Sequence, residues 1–200
     1  VIMGLELDYK DGQTPLDEEE KEGLKIKSIT TQGELDEFEQ LNIEKAVEWT
    51  IHTKLKPESI LSEKFVKDLH KRMYGDVWKW AGAFRKSEKN IGISWTLIGI
   101  EIKNLLDDTT YWIKNNTYAP DEIAIRFKHR LVSIHCFPNG NGRHSRIMAD
   151  ILMEFVFKEN PFTWHQSNMV KANEVRKEYI TALKKADNGN VKPLIAFAKS

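Results

Sequence analysis

Two hundred residues, 40% hydrophobic and 30% charged, have the composition of a globular chain able to bury a core without covalent staples. Thirty basic residues balance thirty acidic ones, so the surplus positive charge of a phosphate-tracking nucleic-acid binder is missing. The lone cysteine, Cys136, excludes an internal disulfide framework, and no apolar run approaches the roughly 20 residues of a membrane span. With no basic-then-apolar leader at its start, the chain is expected in the cytoplasm.

Charge is nonetheless unevenly placed. Between Leu5 and Glu22 there are eight acids and two lysines, a net charge of −6 that leaves the remainder at +6. Residues 1–25 therefore read as an acidic N-terminal arm and 26–200 as one domain. The arm is expected to be a solvated appendage, with cover over a basic site as the sharper alternative.

Along the domain, helical periodicity prevails. Leu35, Phe38, Leu41, Ile43, Ala46, Val47 and Trp49 mark a helix over 34–53, and Pro57 opens a second that ends near Gly75. A third covers 100–114, and Pro120-Asp121-Glu122 is a helix start with acids in its first turn. Another helix runs from about Arg143 until Asn160-Pro161 stops it, and two more are expected over 168–186 and 191–199. Only 83–98 argues for strand, with β-branched and aromatic residues around Asn90 and Gly92; a short β-hairpin is predicted there. The expected fold is all-α with that one β element.

Residues 135–146, His-Cys-Phe-Pro-Asn-Gly-Asn-Gly-Arg-His-Ser-Arg, carry the chemistry. Gly140 and Gly142 flank Asn141 in a turn that feeds a new helix, whose first amides form an anion site. Arg143 and Arg146 lie three apart at that helix start, and guanidinium groups suit bidentate contact with phosphate oxygens. His135 stands just before the turn, where a general base is useful. A P-loop is absent, the third glycine of a dinucleotide fingerprint falls at Ser145, and there is no His-Glu-x-x-His helix. His135 and His144 lack a third and fourth partner for zinc. The remaining histidines, His52, His70, His129 and His165, read as surface or core residues.

This segment resembles the signature of the Fic (filamentation induced by cAMP) family, His-Pro-Phe-x-Asp/Glu-Gly-Asn-Gly-Arg-x-x-Arg. Seven identities (His135, Phe137, Gly140, Asn141, Gly142, Arg143, Arg146) stand against two departures, Cys136 and Asn139. Similarity extends to Trp80-Ala81-Gly82 with Arg85 and to Ala186-Asp187-Asn188-Gly189, roughly residues 30–198 in all. Within the family, Asn90-Ile91-Gly92 and the loop look most like the bacterial subgroup called mobile mystery protein B.

The resemblance implies a Fic-fold helical bundle with a hairpin flap, and transfer of AMP from ATP to a protein Ser, Thr or Tyr hydroxyl. By position, His135 would be the general base. Asn141 with the amides of Gly140 and Gly142 would hold the α and β phosphates, and Arg143 and Arg146 the β and γ phosphates. Lys89, Asn90, Ile91 and Gly92 would form the flap that docks the target by strand pairing. The resemblance also implies Mg²⁺ as cofactor, with Asn139 in the place of its acidic ligand; an Asn carbonyl can coordinate the ion but brings no charge, so recruitment is weakened and relies more on the nucleotide phosphates. The alternatives are a different phosphate-containing donor, or a nucleotide-binding regulatory protein with little turnover. Glu34, in Thr30-Thr31-Gln32-Gly33-Glu34, and Glu39 are candidates for the family's inhibitory glutamate, which pairs with the second arginine; an inhibitory protein partner is the other route to control.

Overall fold

The computed structural model describes residue 7, residues 14–165 and residues 172–200. Of the acidic arm, residues 1–6 and 8–13 fall outside the described residues, as do the first residues of the helix expected over 168–186.

Helix boundaries follow the local chemistry. After α1 (Glu18–Glu22), opened by an Asp17–Glu20 capping box, comes α2 (Gln32–His52), opened by Thr31 and Glu34 in a second capping box. A single turn, α3 (Pro57–Ile60), leads to α4 (Glu63–Tyr74), capped by the Ser62 hydroxyl. A 3-10 turn over Trp95–Leu97 runs into α5 (Ile98–Lys114), and Pro120 at the first turn starts α6 (Pro120–Ile134). Helix α7 (Asn141–Ile151) continues through a π-helical turn, Leu152–Phe157; α8 (Ala172–Asp187) and α9 (Lys192–Lys199) close the chain.

In the bundle, α4 lies between α2 and α7, α6 lies between α5 and α7, and α9 packs on α6 and α8. Val66, Leu69, Met73, Ile102, Phe127, Phe137, Met148 and Leu194 are fully shielded in the shared core. Each such side chain stabilises by about 1.5–3 kcal/mol through apolar burial. The described part of the arm crosses this bundle and inserts Leu16 and Leu24, which are 5% and 4% exposed. None of the helices among the described residues is long and apolar enough to cross a membrane.

The predicted β-hairpin does not form: no β-strand occurs among the described residues, only an isolated antiparallel bridge between Leu24 and Trp78. Residues 86–94 are irregular instead, with bends at 87 and 90–93. The reason lies in Arg85, 3% exposed, whose guanidinium donates to the carbonyls of Ser87, Ile93, Ile134 and His135. One side chain thus satisfies acceptors that a partner strand would have satisfied, and the segment is fastened to the end of α6.

Candidate active site

Helix α6 ends on His135, whose backbone is left-handed at φ 55° and ψ 55°. A residue with a β-carbon pays roughly 1–2 kcal/mol there, so something must hold it. Arg85 does: its Nε donates to the His135 carbonyl at 2.6 Å and its backbone N–H to the Cys136 carbonyl at 2.9 Å. The chain then turns through 136–140 into α7. Asn141 pins that turn from both sides, its Oδ1 accepting from the Phe137 N–H at 2.9 Å and its Nδ2 donating to the Phe137 carbonyl at 2.8 Å. Gly140 takes φ +78°, and a β-carbon there would lie 2.5 Å from the Tyr74 ring. Glycine is required on both counts.

Below the turn, His70 is fully buried and stacked on Phe137 at 3.7 Å. It accepts from the Gly82 N–H at Nδ1, leaving Nε2 to donate to the Asn139 carbonyl at 3.0 Å. Burial, then the proximity of His144, holds His70 well below the usual histidine range, so it supports the loop as a neutral bridge. His144 is equally enclosed, with Nε2 3.0 Å from the Val66 carbonyl, and faces the core. Neither position was marked by the sequence pattern as a support for the loop, because each bond reaches an element far away in the chain.

His135 is 6% exposed. Burial, with Arg85 and Lys89 adding to it against the Val132 carbonyl, pushes its pKa down to about 4. The imidazole is therefore neutral at neutral pH and able to accept a proton. Its Nε2 lies 2.8 Å from the Thr14 hydroxyl oxygen. Gly92 lets the 86–94 segment pass close to the His135 Cβ: at φ +98°, a β-carbon there would sit 2.6 Å from it. Lys89 reaches across from the same segment to Asp17 and Glu20, while Asn90 and Ile91 remain exposed. The Cys136 thiol, 1% exposed, is pushed far up by burial and is inert.

The two arginines part company. Arg143 Nη2 donates to Glu39 Oε2 at 2.5 Å, while Glu39 Oε1 accepts from the Trp78 indole at 2.7 Å. Arg146 instead lies over the Tyr179 ring at 4.2 Å, beside Trp164. So Glu39 meets the first arginine of the loop rather than the second, and the shared helix face does not bring the guanidiniums together. Glu34 is exposed and serves as a cap, accepting from the backbone N–H groups of Thr30 and Thr31.

Asn139 is tied down as well. Its Oδ1 accepts from the Gly140 N–H at 2.6 Å and its Nδ2 donates to the Thr14 carbonyl at 3.4 Å. The described residues contain no group of three His, Cys, Asp or Glu side chains suited to a metal ion. A protein-held magnesium ion does not fit this donor set, which presents a committed amide where a carboxylate is needed.

Taken together, these features define an all-α bundle whose working part is a left-handed histidine, a glycine loop and the N-terminus of an arginine-bearing helix. In comparison with known proteins, the sequence profile of the Fic/DOC family matches residues 60–153, and over this segment the chain is similar to that family. It is 24% identical over 151 residues to the protein adenylyltransferase Fic of Drosophila mojavensis, covering 74% of this chain and 28% of that one. With the Aedes aegypti protein of the same name it shares 23% over 175 residues, 86% of this chain and 32% of the relative. The chain thus spans about a third or less of these relatives. Among solved structures, BepC of Bartonella tribocorum with bound AMPPNP superposes with a TM-score of 0.67 at 17% identity, over 95% of this chain and 93% of that one. Fic-1 (aa134–508) of C. elegans gives 0.63 at 23% identity, over 79% and 46%.

Proposed function

We propose that the chain is a nucleotidyltransferase that moves AMP from ATP onto a Ser, Thr or Tyr hydroxyl of a protein. The observation that carries this reading is the neutral His135 imidazole with a hydroxyl oxygen 2.8 Å from Nε2, set at the edge of a helix N-terminus. In this reading His135 accepts the proton of the attacking hydroxyl. The first-turn amides of α7, beginning at Asn141, have no intrahelical carbonyl and meet the phosphates, with Gly140 and Gly142 allowing close approach. Asn141 acts by keeping the turn closed. Arg143, released from Glu39, and Arg146, released from Tyr179, take the charge that builds on the departing pyrophosphate. Lys89, Asn90, Ile91 and Gly92 dock the target segment against His135. The adenylyltransferase names of the insect relatives and the AMPPNP bound to BepC support the choice of ATP.

We read the loop and Asn90-Ile91-Gly92 as most like those of the bacterial mobile mystery protein B subgroup, and the single buried thiol as suited to the cytoplasm. A second functional reading, a nucleotide-binding regulatory protein with little turnover, is favoured by Asn139 and by the Glu39–Arg143 pair. Incubation with α-labelled and γ-labelled ATP separates the two. Adenylyl transfer moves the α label alone, and His135→Ala lowers that transfer by at least about 100-fold while nucleotide affinity stays within a few fold. Binding without transfer of either label supports the regulatory reading.

A further inference from the structure

The substrate-docking side of His135 is filled by the chain itself. Thr14 is 5% exposed, and its hydroxyl oxygen meets His135 Nε2 at 2.8 Å. Its carbonyl accepts from Asn139 Nδ2, so the residue is held from the loop side at a second point. The segment that follows is gripped by Lys89, one of the residues read as the docking element, with help from Ser87 and Trp80. Lys89 Nζ donates to the Pro15 carbonyl at 3.4 Å and pairs with Asp17 and with Glu20, and Ser87 Oγ donates to Asp17 at 3.3 Å. Trp80 Nε1 donates to the Glu20 carbonyl at 3.0 Å, and Leu16 is buried in the core. A hydroxyl in contact with His135, on a segment fastened by Lys89 of the docking element, occupies the position of an acceptor.

We infer that Thr14 is a modification site: the hydroxyl that this active site adenylylates within the same chain. The inference rests on the adenylyl-transfer reading above. With Nε2 unprotonated, the Thr14 hydroxyl donates to it. The Oγ–Pα bond forms, the bond between Pα and the oxygen bridging to Pβ breaks, pyrophosphate leaves, and the hydroxyl proton passes to His135. The product carries AMP on Thr14, which fills the acceptor position until the arm withdraws.

The test uses the full chain. Wild type, Thr14→Ser, Thr14→Val and His135→Ala are incubated with ATP and examined by intact mass and fragment mapping, with α-labelled ATP and a cell extract in parallel. The wild type is expected to gain one adenylyl group on Thr14, as purified or on incubation, at a rate unchanged by dilution of the protein. Thr14→Ser keeps the modification at that residue; Thr14→Val and His135→Ala lose it. The inference is overturned by label on another residue with Thr14 unmodified, by a Thr14→Val rate equal to wild type, or by a rate that falls with dilution. If the α label passes only to proteins of the extract, the adenylyl-transfer reading stands and Thr14 falls. If it passes neither to the chain nor to the extract, both fall.

Discussion

At the scale of single residues, the site is governed by which polar groups are already engaged. Glu39 is 6% exposed along its side chain and occupies Arg143, itself 41% exposed. Glu39→Gln keeps a carbonyl for the Trp78 indole and removes the charge. Affinity for a non-hydrolysable ATP analogue should then rise about tenfold by titration calorimetry. The fold should lose about 1 kcal/mol, the modest value fitting a pair with one solvated partner. Unchanged affinity would mean that Glu39 and the nucleotide do not compete. The loop stood out in the chain because seven residues shared with the family signature fall in one short segment. The partner of Glu39 was not: the two residues are 104 positions apart, and helical spacing offers Arg143 and Arg146 alike.

Elements show where pattern reading succeeds and where it stops. Helices α2, α4, α5, α6 and α7 were legible, since apolar periodicity, prolines and caps act within a few residues. The hairpin over 83–98 failed for a different reason. Its composition suits a strand, yet the Arg85 side chain takes the carbonyls, and no pattern of alternation records that. The same segment anchors α1, a five-residue helix too short to persist alone. Lys89→Met removes the cation that Glu20 faces, leaving a carboxylate with a 12% exposed side chain held only by its capping-box bond from the Asp17 N–H. Residues 14–22 should then exchange amide hydrogens at least about tenfold faster, while α6 and α7 keep their protection. Equal protection of 14–22 in the two proteins would show that Leu16 alone seats the arm.

For the whole molecule, buried histidines and one carboxyl set the response to pH. His135 and His144 are pushed by burial to about 4 and about 3, against 6.5 for an unperturbed ring. Between those values the unfolded chain binds more protons, so stability rises with pH; it is complete above about 6.5 and is lost as pH falls through the window. Asp150 acts with the opposite sign. Burial raises it to about 7 from 3.8, so its contribution is present at low pH and fades as pH climbs through that interval. His135→Asn, which tolerates a left-handed backbone, should remove on the order of 3 kcal/mol from the gain between pH 4 and 6.5 in urea melts. An unaltered gain would place the His135 ring in water.

The sealed thiol next to His135 gives the molecule a built-in gauge. Cys136 is buried and adjoins His135, so a maleimide dye can reach it only when the end of α6 and its overlying cover separate. Dye uptake by the folded protein should be slower than by the urea-unfolded chain by at least about 100-fold, and its rate reports how often the histidine is uncovered. A single-site fluorescent clock for opening is thus present without any engineered cysteine.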